Sequence, residues 1–169
     1  MKRIVIWPVL AITIFLGGCT SQYVSVTEGP VAKVTFAVKD IEKSGFLLST
    51  TLSYRVASCD DKKGGWIELN KKNKQKTVNV RAGEPADIIA QYFQNRGSGG
   101  TTSGTLHLLF LPRADKSYLV EYERIGDKFR VYVWNRDENG ERTIRARTVY
   151  GINNVAKARV VVCKKLGKI

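Results

Sequence analysis

Two hairpin turns in the second half of this 169-residue chain constrain its fold more than any other feature. Gly126-Asp127 and Asn139-Gly140 are dipeptides typical of two-residue turns between antiparallel strands. Placing Ile125 opposite Lys128 separates the apolar and polar side chains of the first hairpin onto two faces, as a correct register requires. The stretch 117–149 is therefore predicted to form a three-stranded antiparallel meander.

The outer face of this predicted meander combines aromatic rings with guanidinium groups. In the second hairpin Glu138 is placed opposite Glu141, a like-charged pair that costs a little stability. This register also sets Asp137 against Arg142. The outer face then carries five residues that form a candidate binding face: Arg130, Tyr132, Trp134, Arg145 and Arg147.

The rest of the chain also has the pattern of strands. Alternating or β-branched runs predict strands over 31–38, 46–59, 66–69, 77–81, 105–111 and 157–163. The segment 86–94 fits either helical spacing or a buried strand, and its neighbours favour a strand. Residues 95–104 are predicted to be a flexible loop, and 164–169 a basic tail. The prediction is an all-β chain, an antiparallel β-sandwich of about eight strands.

The first nineteen residues have the organisation of an export signal. A positively charged start, Met1-Lys2-Arg3, precedes an apolar run from Ile4 to Leu16. That run is too short for a membrane-spanning helix, which needs about 20 residues. It ends in Leu16-Gly17-Gly18-Cys19, which resembles the lipobox of bacterial lipoproteins, an aliphatic residue and two small residues before a cysteine.

This resemblance implies a lipid anchor. It implies cleavage before Cys19, a thioether-linked diacylglycerol on the thiol, and acylation of the new amine. Residues 1–18 would be a cleaved signal helix, 19–30 a lipidated tether, and 31–169 one β-sandwich domain. No Asp follows Cys19, which resembles lipoproteins of the outer membrane that face the periplasm. The alternatives are an ordinary secretory signal with a chance cysteine, or a buried helix.

The two remaining cysteines form an even pair in an oxidising compartment. Cys59 and Cys163 are predicted to form a disulfide, because no Cys or His lies near either in sequence. Two free thiols or a metal pair are the alternatives. Closing a loop of about 105 residues would stabilise the fold by roughly 4–5 kcal/mol in the chain-entropy model.

The charge of the chain predicts an anionic partner. Its net charge is +13, and loss of the leader with Lys2 and Arg3 would leave +11. Such a domain is attracted to acidic surfaces, so we expect a protein or an anionic envelope component rather than nucleic acid. Besides the candidate binding face, a basic loop beside Trp66 could contribute: Lys62, Lys63, Lys71, Lys72, Lys74 and Lys76. The alternative is that both features are solvated surfaces, with the aromatic rings covered by another strand.

No stretch has a catalytic or metal-binding pattern. His107 has no nucleophile or carboxylate partner by spacing, so a structural role on a strand is expected. Gly97-Ser98-Gly99-Gly100 lacks the Lys-Ser/Thr ending of a phosphate loop, and no metal or cofactor is predicted. The sequence predicts a binding or accessory lipoprotein of the periplasm rather than an enzyme. The alternative is an immunity or inhibitor lipoprotein that neutralises a toxin or hydrolase.

Overall fold

The computed structural model describes residues 21–38, 49–59, 64–70, 72–95, 97–125 and 128–168. The predictions for the leader and for Cys19, Lys62, Lys63 and Lys71 lie outside these residues. The described parts contain ten strands and one helix: β1 (Val31–Val38), β2 (Ser49–Ala57), β3 (Gly65–Leu69), β4 (Gln75–Arg81), β5 (Ala86–Asn95), β6 (Thr101–Phe110), β7 (Ser117–Ile125), β8 (Lys128–Arg136), β9 (Arg142–Arg145), β10 (Thr148–Tyr150) and α1 (Ile152–Lys165).

The strands form two five-stranded sheets that pack into a sandwich. The first sheet has the order β4-β1-β7-β8-β9, and the second has the order β10-β6-β5-β2-β3. The pairing of β1 with β7 is parallel, and the other described pairings are antiparallel. The prediction of an all-β sandwich is confirmed.

Alternate residues of both sheets build one core between them. Phe36 of β1 and Val120 of β7 are fully buried from one side, and Tyr54 of β2 and Ile88 of β5 from the other. The rings of Phe36 and Tyr54 lie 4.8 Å apart between centroids. Burying one large apolar side chain contributes about 1.5–3 kcal/mol, so this inner layer is the main source of stability.

The segment 86–94, whose spacing fits a helix or a strand, is a strand, as its neighbours in sequence favoured. β5 pairs along its length with β2 on one side and β6 on the other. The predicted loop at 95–104 is shorter than expected, because β6 already begins at Thr101 and a 3-10 turn at Gly97–Gly99 connects the two strands. Gly104 lets the Phe129 ring lie directly against β6, where any side chain would collide with it.

The predicted register of the first hairpin is confirmed. Ile125 lies opposite Lys128, Glu123 opposite Arg130, and Leu119 opposite Trp134. The dipeptide Gly126-Asp127 itself lies outside the described residues. A strict alternation of apolar and polar side chains on both strands was therefore enough to set the pairing.

The second hairpin differs from its prediction by one residue. Arg142 lies opposite Arg136 rather than Asp137, while Trp134 still faces Arg145, so a bulge separates the two pairs. The amide of Gly140 donates to the Asp137 carbonyl at 3.0 Å, and Gly140 has a φ of 82°. This is a longer turn that ends in a left-handed glycine, and within it the Glu141 amide donates to the Asp137 carboxylate at 2.8 Å.

The third strand of the meander is also shorter than predicted. β9 ends at Arg145, and the chain then crosses to the other sheet, where β10 places Thr148 opposite Phe110 of β6. The Thr148 hydroxyl donates to the Ala146 carbonyl at 3.0 Å at this crossing. The stretch 117–149 therefore contributes to both sheets of the sandwich.

The predicted strand over 157–163 is wrong, because these residues belong to the helix α1. The run of valines before Cys163 favours a strand locally. The helix instead buries Val155 and Cys163 against the sandwich and pairs Arg159 with Asp87 of β5 at 3.5 Å. Packing and this ion pair outweigh a weak local preference.

The predicted disulfide between Cys59 and Cys163 is confirmed. The two Cα atoms lie 5.6 Å apart, a usual distance for such a bond. Both cysteines are buried, and the bond joins the last turns of α1 to the segment just after β2. It therefore holds the helix against one end of the sandwich.

The polar segment before β1 lies along the open side of the sandwich. The amide of Trp66 on β3 donates a hydrogen bond to the Ser21 carbonyl at 2.9 Å, and the Tyr23 amide donates to the Trp66 carbonyl at 3.0 Å. Further on, the Val26 amide donates to the Asn79 carbonyl of β4 at 3.1 Å. β3 and β4 are edge strands of the two sheets, so this segment covers both edges.

A glycine makes this close approach possible. A Cβ atom on Gly65 would lie 2.5 Å from the Cα of Tyr23 and 2.7 Å from the carbonyl carbon of Gln22. These neighbours are backbone atoms, which cannot rotate away as a side-chain tip could. Only glycine at the start of β3 allows the segment to pack at this distance.

Candidate functional site

The candidate binding face lies on the outer side of the first sheet. β8 presents alternate side chains there, so Arg130, Tyr132 and Trp134 follow one another along the strand. The rings of Tyr132 and Trp134 are 6.1 Å apart and tilted by 53°. β9 lies beside them at the sheet edge, and all four of its residues are exposed.

Arg145 is the central cation of this face. Its guanidinium carbon lies 3.9 Å from the centre of the Tyr132 ring and 5.2 Å from the centre of Trp134. Such contacts contribute about 0.5–1 kcal/mol each at an exposed site. They hold the guanidinium near both rings while leaving the residue exposed on the sheet edge.

Arg142 adds a second cation, paired with a carboxylate. Its Nη2 donates to Glu121 at 2.7 Å, and its guanidinium lies 5.9 Å from the centre of Trp134. Glu121 is almost fully buried, whereas the Arg142 side chain is 43% exposed. Solvent screens such a pair, so it orders the arginine more than it stabilises the fold.

Two further arginines border the face. A hydrogen bond with Tyr132 raises the pKa of the exposed Arg130. Arg136 donates from Nε to the Gly140 carbonyl at 2.6 Å and from Nη1 to Thr35 at 3.3 Å. Arg147 was predicted to lie on this face, but it follows the end of β9, and Arg145 covers the Tyr132 ring.

The indole of Trp134 lies at the centre of these arginines. Its Nε1 is buried and has no hydrogen-bond acceptor among the residues that the structure describes. An unsatisfied buried donor costs about 1–3 kcal/mol, so a native protein seldom keeps one without a reason.

The predicted lysines do not converge on the same face. Lys72 and Lys74 lie between the end of β3 and the start of β4, and both are exposed. Lys76 lines a polar cleft of about 530 Å³ together with Trp66 and Glu68. The predicted proximity to Trp66 is thus observed for Lys76. Lys76 lies on β4 in the same sheet as Trp134, but opposite Phe36 on the core side, whereas Trp134 lies on the outer face.

The predicted structural histidine lies within the second sheet. His107 is half-buried on β6, opposite Ile89 of β5, and its carbonyl accepts the Gly151 amide at 3.0 Å. Across the described ranges, no group of three or more His, Cys, Asp or Glu residues could hold a metal ion.

A second cavity lies where the first segment meets the sandwich. It measures about 450 Å³ and lies between residues 21–28 and the ends of several strands. Val56, Val80 and Ala86 of the core form its apolar part, and Arg81 adds a charge. Ser58, which precedes the disulfide-bonded Cys59, also lines this cavity, as does Pro85 of the β4–β5 turn.

Sequence reasoning missed Arg142 as a member of the candidate binding face. The simple two-residue turn placed it opposite Asp137, on the other side of the sheet. The bulge between Trp134 and Arg136 moves it onto the face with Trp134. The dipeptide Asn139-Gly140 suits turns of either length, so the sequence carried no signal for this shift.

Comparisons with protein-family models, with curated proteins and with solved structures found no match. Among the described residues, no helix has the length and hydrophobicity needed to cross a membrane.

Proposed function

We propose that this protein is an envelope lipoprotein, anchored through Cys19, that acts as a binding module in the periplasm. The lipobox-like sequence supports the anchor, and the basic net charge supports an anionic partner. We place the contact on the candidate binding face, now extended by Arg142.

One observation carries the choice of this face. Arg145 lies over Tyr132 and Trp134 on an exposed edge strand, with Arg142 beside it. Aromatic residues and arginine are the types enriched at protein interfaces. A partner carboxylate can accept two hydrogen bonds from a guanidinium that stacking already holds in position.

Arg145→Glu should weaken partner binding, and more so at low salt than at high salt. The substitution reverses the charge at the centre of the face, so its effect is electrostatic. At physiological salt, attraction between exposed charges more than about 8–10 Å apart is largely screened. The measurement is recovery of bound proteins from envelope extracts, with the mature protein as bait. Lys72→Glu is the matched control, because it makes the same charge change in the loop that joins the edge strands β3 and β4.

The outcomes separate the possible partners. Recovery of resident envelope proteins that depends on Arg145 supports the accessory function. Recovery of a toxin or hydrolase, with loss of its activity on binding, would support the inhibitor function instead. Equal recovery by wild-type protein and Arg145→Glu would contradict the role of this face.

A further inference from the structure

The proposed lipid attachment at Cys19 lies only two residues before the folded domain begins, rather than at the far end of a free tether over 19–30. From Ser21 onwards the chain is hydrogen-bonded to β3, and later to β4. Only Thr20 separates Ser21 from Cys19, so an extended chain spans about 7 Å between these two Cα atoms. A lipid on Cys19 therefore holds one end of the sandwich at the membrane surface.

The structure also identifies what surrounds this end. Ser21, Ser58 and Pro85 line the same cavity. Ser58 precedes Cys59, which is bonded to Cys163 of α1. Pro85 follows Glu84, whose carboxylate lies 3.6 Å from the Lys168 ammonium. Two separate connections thus bring the last turns of α1 to the end of the domain where the lipid is expected.

These last turns present one cationic face, the lysine face of α1. Residues spaced at i, i+4, i+7 and i+8 share one side of a helix. The lysine face of α1 consists of Lys157, Val161, Lys164 and Lys165. All four are exposed, Val161 by 67%, and the helix contains no acidic residue. Leu166, which is 42% exposed, adjoins this face at the end of the helix.

We propose that the lysine face of α1 rests on the anionic phospholipid head groups of the membrane that holds the Cys19 lipid. A basic patch beside a lipid anchor is attracted to such a surface, and an exposed valine can enter the head-group region. The domain is then held in one orientation by two contacts, the lipid and the helix. This inference rests on the lipid anchor of the proposed function.

The test uses mature lipoprotein in vesicles of phosphatidylcholine, with or without phosphatidylglycerol. An amine-reactive reagent labels exposed lysines, and mass spectrometry quantifies each site. Labelling of Lys164 and Lys165 should fall by about fivefold in the anionic vesicles, the factor that corresponds to one lysine–surface contact. High salt should restore the labelling. Lys72, which follows β3, should be labelled equally in both vesicles.

A double variant extends the test to the helix as a unit. In Lys164→Gln/Lys165→Gln, the protection of Lys157 in anionic vesicles should disappear, because the attraction is lost. The control Lys33→Gln/Lys72→Gln removes the same charge from β1 and the β3–β4 loop, and should keep that protection.

The failures of the two proposals are distinguishable. Equal labelling of Lys164 and Lys165 in neutral and anionic vesicles, for protein that floats with both, would overturn the lysine-face contact alone. Protein that fails to float with neutral vesicles would show that no lipid anchors it, and would overturn the proposed anchor together with this inference.

Discussion

At the scale of single residues, burial of one tyrosine hydroxyl makes the free energy of unfolding depend on pH in the alkaline range. Tyr54 is fully buried in the core, and this burial raises its pKa well above the usual 10. Below about pH 10, Tyr54 is protonated in both the folded and the unfolded chain. Above about pH 10, the unfolded chain releases the proton while the folded chain retains it, so unfolding becomes more favourable.

The free energy of unfolding should therefore fall as pH rises above about 10, by up to about 1.4 kcal/mol per pH unit for this group. Denaturant unfolding at several pH values measures the slope. Tyr54→Phe keeps the ring and should have a smaller slope. An identical slope in both proteins would show that Tyr54 is not the group responsible.

Gly65 is the second residue with an effect beyond its size. Gly65→Ala would place a Cβ within 2.5 Å of the Tyr23 backbone, so we expect residues 21–26 to leave the edges of β3 and β4. Hydrogen exchange at the Tyr23 and Val26 amides should become faster, and stability should fall by roughly 1–3 kcal/mol. Ser53→Ala, on the adjacent strand β2, is the control and should leave these amides protected. Unchanged exchange in Gly65→Ala would contradict the close packing of the segment.

At the scale of elements, the helix α1 depends on the disulfide for its position. Only Val155 and Cys163 are buried within α1, which gives it little packing of its own. Cys59→Ser/Cys163→Ser should lower the free energy of unfolding by up to about 4–5 kcal/mol. Hydrogen exchange should increase first in α1, while β5 and β6 remain protected. Equal loss of protection in the helix and in those strands would contradict a helix held mainly by this bond.

The elements also show what local sequence can predict. The pairing of β7 with β8 followed from alternation on both strands, because a slip of one residue would expose every core side chain. The β8–β9 bulge was not predictable from the dipeptide Asn139-Gly140, which suits two-residue and longer turns alike. The helix α1 was missed because Val160, Val161 and Val162 favour a strand, and its anchor Asp87 is distant in sequence.

The candidate site was likewise predictable only in part. Tyr132, Trp134 and Arg145 were placed together correctly, because their pairing depends on alternation and on a register that the bulge leaves unchanged. Arg142 was missed because a shift of one residue moves a side chain to the other face. The docking of residues 21–28 could not be predicted, since it depends on two edge strands that come together only in the folded sandwich.

At the scale of the whole molecule, the segment from Ser21 and the last turns of α1 lie at one end of the sandwich. The segment covers two sheet edges, and the disulfide joins α1 to Cys59, whose neighbour Ser58 lines the same cavity as Ser21. The candidate binding face is on the outer side of the β4-β1-β7-β8-β9 sheet. The proposed arrangement thus assigns one surface to the membrane and another to a partner.

Both proposals depend on a lipid at Cys19 that anchors this domain. Mass spectrometry of the N-terminal peptide of protein purified from bacterial membranes tests it directly. We expect a peptide that begins at Cys19 and carries a diacylglycerol and an amide-linked acyl chain. A Cys19→Ser variant should remain an unprocessed precursor. A mature peptide that begins at another residue, or an unmodified Cys19, would contradict the claim.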